Sequence, residues 1–252
     1  MKESNFDLYE SFGDDFWYTK CRQDLIEKIL KKHVFASKRK ATKKNIKILD
    51  VGCGIGMNYK ALRSFGTVYN VDIDKKAVKI CKKRGLKNVS IGDAQNLKKF
   101  KSKQFDLVTG IELVEHLPKD SLFIKEASRV LKDKGHLIIS APAFKFLWSE
   151  DDELAYHYRR YSVKQIKALV QSKFDIRLLS FRYFFLFPFS LIIFFALKLK
   201  KILGGQSTNS LATTPKFFNS VLNSIMTFEN TLISQNIKMP FGVGFVVLCQ
   251  KR

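Results

Sequence analysis

The residues that could do chemistry fall into ordered groups along the chain. The first is Asp50-Val-Gly52-Cys-Gly54-Ile-Gly56, an acid followed by three alternating glycines. Glycines let the backbone come close to a ligand, and a helix starting after such a loop favours negative charge at its N-terminus. A dinucleotide loop usually reads Gly-x-Gly-x-x-Gly and lacks the acid, because pyrophosphate repels it. Asp50 suits a ligand that carries an amino group. About 20 residues later comes Asp72, placed where an acid accepts both hydroxyls of a ribose. Gly92-Asp93-Ala94 offers a further carboxylate, able to accept from the exocyclic amine of an adenine. Glu112-Leu-Val-Glu115-His116 follows, and then Trp148, Asp151, Asp152, His157, Arg159, Arg160 and Tyr161. Arginine forks recognise carboxylate or phosphate, so this last group is expected over the acceptor side of a site.

Elements that could position these residues are legible in the hydrophobic pattern. Leu25, Ile26, Ile29 and Leu30 recur at helical spacing within 17–35. Short apolar strands are expected at 46–51, 67–72, 88–91, 105–110 and 135–140, with helices at 75–84 and near 119–132 between them. Strands alternating with helices imply right-handed crossovers and a parallel, doubly wound sheet. In such a sheet ligands sit at the carboxyl ends of the strands, where every group named above falls. Beyond residue 143 the pattern loosens. Residues 162–173 read as a helix with Ser162 as N-cap, 174–185 as a sixth strand and 244–250 as a seventh.

At this point the ordered motifs resemble a known family. Ile48-Leu-Asp-Val-Gly-Cys-Gly-Ile-Gly56, Asp72, Gly92-Asp93, Phe105-Asp-Leu-Val and Arg129-Val-Leu-Lys-Asp-Lys-Gly135 are similar to those of class I S-adenosylmethionine-dependent methyltransferases, over roughly residues 46–143. The resemblance implies an α/β, Rossmann-like sheet of seven strands whose last strand is antiparallel, with S-adenosyl-L-methionine as cofactor. It implies that Gly52, Gly54 and Gly56 line the methionine moiety beside Asp50, that Asp72 with Ile73 serves the ribose, and that Asp93 with Ala94 serves the adenine. The Glu-x-x-Glu-His spacing is similar to that of ubiquinone-pathway O-methyltransferases. There it implies either a weakly held divalent metal on Glu112, Glu115 and His116 or a base that takes a hydroxyl proton, with Glu115 and His116 as the catalytic pair. A neutral imidazole can do the latter near pH 7. His157-Tyr-Arg159-Arg160-Tyr161, with Trp148, looks like the acceptor-binding segment of a small-molecule subgroup linked to glycan or lipid pathways. Phe16-Trp17-Tyr18 and Arg22 resemble the start of that subgroup and are expected to form a lid or a hydrophobic staple.

Composition bounds the rest. The chain has 252 residues, 45 Lys+Arg against 23 Asp+Glu and hence a formal charge of +22. Its 46 % hydrophobic content excludes a disordered chain. Cysteines at 21, 53, 81 and 249 form no Cys-x-x-Cys, which points to a reducing, cytoplasmic setting. Residues 1–16 carry five acids and one lysine and do not read as a signal peptide. The basic runs 31–47 and 75–87 would suit nucleic acid or anionic lipid, but read more simply as solvated faces. An RNA-binding protein or RNA methyltransferase is the alternative they support. No RNA-binding module accompanies them, so nucleic acid is not the expected partner. A dehydrogenase is disfavoured by the glycine loop, and a non-catalytic adenosylmethionine-binding protein is a further reading.

One methyltransferase domain is expected over 1–252. It comprises a helical lid (1–45), a cofactor-binding core (46–143) and an acceptor-side region (144–252) with an apolar insertion at about 186–240. In the insertion, residues 184–197 are nearly all apolar but interrupted by Pro188 and Ser190, too short for the roughly 20 residues that cross a bilayer. Arg182 on one side and Lys198, Lys200 and Lys201 on the other can meet anionic headgroups. A Gly-Gly-Gln-Ser-Thr-Asn-Ser linker (204–210) leads to an amphipathic helix at 216–234, with Phe218, Val221, Leu222, Ile225, Phe228 and Leu232 on one stripe. The expected partners are therefore a small-molecule or lipid-linked acceptor, methylated on oxygen, and peripherally an anionic membrane.

Overall fold

The computed structural model describes residues 16–36, 45–202 and 216–252. The acidic start, most of the first basic run and the Gly-Gly-Gln-Ser-Thr-Asn-Ser linker lie outside the described residues. The first helix, α1 (Trp17–Ile29), ends in a wider turn at Leu30–Val34. There follow β1 (Lys47–Val51), α2 (Tyr59–Leu62), β2 (Thr67–Asp72), α3 (Lys75–Lys83), β3 (Val89–Ile91) and β4 (Phe105–Ile111). Next come α4 (Asp120–Val130), β5 (Leu131–Pro142), α5 (Glu150–Leu154), α6 (Val163–Gln171) and β6 (Phe174–Arg182). The chain closes with α7 (Phe187–Ile202), α8 (Lys216–Ser234) and β7 (Gly244–Lys251).

The seven strands form one sheet in the order β3-β2-β1-β4-β5-β7-β6. β1 to β5 pair in parallel, and β7 runs antiparallel between β5 and β6, as the resemblance implied. Central strands read as apolar runs because both faces are covered: Ile48, Leu49, Leu107, Val108 and Leu137–Ile139 are fully buried. Two details depart from the sequence reading. The helix after the glycine loop is a single turn, α2, and β5 starts directly at Leu131. Its pairing with β4 jumps from Phe105↔Leu131 to Leu107↔His136, so residues 132–135 form the irregularity that the sequence reading took for the end of a helix and a gap. Ser162 caps α6 as expected, in a capping box with Gln165.

The insertion also behaves differently from its sequence pattern. Pro188 and Ser190 do not break the apolar run. Pro188 falls in the first turn of α7, where a missing N–H costs nothing, and the Ser190 hydroxyl donates to the Leu186 carbonyl. α8 turns Phe218, Val221 and Phe228 outward and buries Met226, Glu229, Asn230 and Ile233. Its polar buried pair does the docking. Asn230 Nδ2 donates to the Cys21 carbonyl and to Asp24, both on α1. Glu229 accepts from the backbone N–H of Tyr183 at 2.6 Å and of Phe185 at 3.2 Å, just past β6. Glu229→Leu should therefore orphan two buried amides and lower the unfolding free energy by about 2–4 kcal/mol. Glu229→Gln, which keeps an acceptor, should lose less, as read by urea denaturation.

Candidate functional site

The glycine loop lies between β1 and α2 and is held from several sides. Gly54 N–H donates to Asp72 Oδ2 at 2.7 Å, Arg84 donates to the Ile55 carbonyl, and Gln23 of α1 donates to the Met57 carbonyl at 2.6 Å. All three glycines have positive φ. They divide by surroundings: a Cβ on Gly52 would strike Leu113 at 2.6 Å, whereas one on Gly54 would meet nothing within 4 Å. Gly54 thus faces open space at the carboxyl end of β1.

Asp50, in β1 just before the glycine loop, is fully buried. Its Oδ1 accepts the Thr109 hydroxyl at 2.6 Å, while Oδ2 is buried with no partner. Burial raises its pKa to about 6 against the opposing Thr109 bond and the charge of Arg22. Arg22, on α1, has a buried Nε without a partner. Asp72 ends β2 and also accepts from Asp74 N–H; burial raises its pKa. Ile73, beside it, is 69 % exposed, an apolar side chain at the strand end with no protein cover. Asp93 accepts from Gln95 N–H at 2.8 Å, and Ala94 is buried.

The second group assembles past β4. Glu115 is fully buried, and neither of its carboxylate oxygens has a partner. Burial, followed by the charge of Glu112, pushes its pKa well above the carboxylate range. His116 is held down to about 4 by burial and by His157, so its ring is neutral at pH 7. The two imidazoles lie edge to face with centroids 4.6 Å apart. Donor atoms of Glu115, His116 and His157 all lie within 4.8 Å of one another. Glu112, grouped with Glu115 and His116 on sequence spacing, accepts the Ser140 hydroxyl at 2.5 Å while staying close enough for its charge to act on both. His157, expected among acceptor-binding residues, takes its place beside His116.

The arginines that followed β5 are engaged within the protein. Arg160 Nε donates to both oxygens of Asp152, at 2.8 and 3.0 Å, and His157 Nδ1 lies 2.8 Å from the same carboxylate. Burial would raise Asp152, but the hydrogen bonds from His157 and Arg160 prevail and hold it at about 2. Arg159 donates to Asp120 and to the Pro118 carbonyl. Tyr161 is buried with its hydroxyl 2.8 Å from Asp120. This segment braces the turn that carries Glu115 and His116; Trp148, half-buried, follows the turn at Lys145–Leu147.

One group escaped the sequence reading as a site element. Arg182, noted there only for its charge beside the apolar run, ends β6 at 1 % exposure. A usable signal existed: it shares strand parity with Phe174, Leu178 and Ser180, all buried. Thr109, the partner of Asp50, went unnoticed because a threonine inside an apolar strand gives no distinctive signal.

Comparison with known proteins places this geometry. Residues 49–139 match a family described as "Methyltransferase domain". Ubiquinone biosynthesis O-methyltransferase of Pelagibacter ubique is 35 % identical over 103 residues, 38 % of this chain and 42 % of that protein. The Coxiella burnetii protein of the same name is 28 % identical over 151 residues, 56 % of this chain and 64 % of that one. The chain thus matches less than two thirds of each of these relatives. Among solved structures, a SAM-dependent methyltransferase from Archaeoglobus fulgidus has a TM-score of 0.53 at 18 % identity, covering 89 % of this chain and 94 % of that one. Phosphoethanolamine N-methyltransferase 2 of Haemonchus contortus, solved in complex with S-adenosyl-L-methionine, has a TM-score of 0.58 at 19 % identity, covering 98 % and 57 %. At such identities these structures speak for the fold, while the family match speaks for the motifs. Residues 49–139 therefore match a methyltransferase domain, set in a sheet that has the fold of S-adenosylmethionine-dependent methyltransferases.

Proposed function

We propose that this protein transfers the methyl group of S-adenosylmethionine to a hydroxyl of a small or lipid-linked acceptor. The observation that carries the cofactor half is the orphan oxygen of buried Asp50, in a chain segment whose glycine loop leaves open space at Gly54. A buried carboxylate without a partner is costly, and an ammonium group would satisfy it. Arg22, close enough to act on Asp50, supplies the opposite charge for the carboxylate of the same amino-acid headgroup. Gly52 and Gly56 hold the loop, Asp72 accepts the ribose hydroxyls, and Ile73 covers one face of the base. Asp93 and Ala94 meet its edge. The four cysteines are free and buried, which supports a reducing, cytoplasmic setting.

Oxygen as the accepting atom is supported by the neutral His116 beside Glu115 and by the ubiquinone-pathway relatives. The protein's part is to orient the acceptor for in-line displacement and to hold its proton. A depressed pKa leaves a ring nitrogen of His116 free to accept that proton at pH 7. The same donor set fits a divalent ion: the two orphan oxygens of Glu115, with His116 and His157, would hold it. When bound, the ion would supply Lewis acidity toward the acceptor hydroxyl. Asp152 fixes the orientation of His157 in either case.

The route for a lipid-linked acceptor is the apolar helix α7. Phe189, Ile192, Ile193, Phe195 and Leu199 are each more than half exposed, and Phe218 and Phe228 of α8 add to the apolar surface. Exposed apolar surface on this scale marks a partner or a membrane. No helix among the described residues is long and apolar enough to cross a membrane. α7 therefore rests in one leaflet, with Lys198 beside it at the headgroups.

Three measurements test this reading. Calorimetry with S-adenosylhomocysteine should show affinity that weakens about tenfold per pH unit below pH 6, because protonated Asp50 cannot pair with an ammonium group. Asp50→Asn should bind weakly and lose that pH dependence. Absence of any binding to wild type would remove the cofactor assignment.

His116→Ala should lower methyl transfer from labelled S-adenosylmethionine into a lipid extract by about 100-fold while leaving cofactor affinity unchanged. Loss of wild-type activity on chelation assigns the ion-holding role; activity indifferent to a chelator assigns proton acceptance.

Flotation with anionic liposomes should carry the protein upward in a salt-sensitive manner. Deleting 186–203 should abolish flotation and spare cofactor binding. A wild-type protein that never floats rejects the membrane route.

A further inference from the structure

Arg182 is the least accounted-for charge in the molecule. Its side chain is 1 % exposed, and its Nε and Nη2 are buried with no hydrogen-bond partner. Among the described residues it makes no ion pair. Burying an unpaired guanidinium is costly, so a protein that retains one normally has a use for it. Part of the cost is offset nearby. The guanidinium carbon lies 4.6 Å from the centre of the Tyr183 ring, and Glu112 and Glu229 contribute their fields. Neither carboxylate is free to pair with it. Glu229 holds the amides of Tyr183 and Phe185, and Glu112 is bound by Ser140.

Two more unpartnered groups belong to the same aromatic cluster. Trp17 Nε1 and Tyr183 Oη are buried without partners. The Trp17 ring meets Tyr183 edge-on at 6.4 Å, and Tyr18 stacks on Tyr183 at 6.0 Å. The backbone is shaped to hold this arrangement. Tyr183 has φ +63, a left-handed conformation that costs a residue with a side chain, and Gly242 packs so closely on the Arg182 backbone that a Cβ would collide. This cluster lies at the carboxyl end of β6. Arg22 lies over the Tyr18 ring that stacks on Tyr183, so the two arginines flank one aromatic cluster, Arg22 acting on Asp50 and Arg182 facing the field of Glu112.

We propose that Arg182, with the indole N–H of Trp17 and the hydroxyl of Tyr183, receives an oxyanion carried by the methyl acceptor, a carboxylate or a phosphate. The planar fork gives two parallel donors, and the rings of Trp17, Tyr18 and Tyr183 exclude water around them. This rests on the methyltransferase reading above and narrows its substrate class to anionic acceptors. Arg159 and Arg160 are both engaged in ion pairs, and Arg22 is assigned above to the carboxylate of the cofactor headgroup.

The test uses the full chain loaded with S-adenosylhomocysteine, titrated with benzoate, phenyl phosphate and neutral benzamide as probes. Loading is checked first, and failure to load bears on the methyltransferase reading and not on Arg182. At least one anion should bind tenfold or more tighter than benzamide, and which one does so distinguishes a carboxylate from a phosphate. Arg182→Met should abolish that preference with S-adenosylhomocysteine affinity unchanged. Arg182→Lys and Trp17→Phe, which perturb the cluster less, should each reduce it severalfold and decide the matter if Arg182→Met does not fold. The proposal is overturned by a wild type that does not prefer anions, by variants that keep the preference, or by an Arg182→Met protein whose cofactor affinity falls equally.

Discussion

The carboxylate of Glu229 meeting the two amides beyond β6 is the contact on which the ligand face depends. It is a buried acid on a helix that the sequence places far from the cofactor loop. Through it α8 closes the turn after Arg182, and through neighbouring Asn230 the same helix holds the backbone of α1 at Cys21. α1 in turn reaches the glycine loop by Gln23. The insertion is thus a clamp: without it Trp17, Arg22 and Arg182 would have no common frame.

What the clamp frames is a rim of unsatisfied polar atoms. Asp50, Glu115, Arg182, Trp17 and Tyr183 all bury hydrogen-bonding groups that no protein atom meets. Buried polar groups are ordinarily paired, so a cluster of exceptions at the carboxyl ends of parallel strands has the character of a preorganised site. Backbone conformation tells the same story. Glu112, Phe144 and Tyr183 follow β4, β5 and β6, and each is left-handed. Such conformations cost about 1–3 kcal/mol apiece and persist where the surroundings hold them in place.

The segment His157–Tyr161 shows how rigidity is supplied. Its charged side chains lie in ion pairs with Asp152 and Asp120, two acids on different helices, and its strand-like backbone pairs with Ala143. Asp152 serves His157 and Arg160 together, which explains its depressed pKa. Residues whose type indicated recognition of a ligand instead hold His157 against His116. By contrast α7 leaves Phe189, Ile192, Ile193, Phe195 and Leu199 uncovered, as α8 leaves Phe218 and Phe228.

Much of this was legible in the amino-acid order. Alternation of short apolar strands with helices dictates a parallel sheet, since crossovers are right-handed and strands buried on both faces must be apolar. The antiparallel last strand and the cofactor came with the motif set at Asp50–Gly56, Asp72 and Asp93. The capping box at Ser162 could be read locally because its bonds are local. What the sequence could not decide was which polar groups would find each other. Whether Arg160 points at a ligand or at Asp152, and whether His116 sits with Glu115 alone or also with His157, depends on how the turn after β4 and the segment after β5 meet across the strand ends. α8 makes the point most plainly. Its apolar stripe runs through Phe218 and Phe228, yet both are exposed and the buried face carries Glu229 and Asn230. Only the assembled fold presents the orphan amides beyond β6 and the carbonyl of Cys21, and satisfying those outweighed covering two phenylalanines.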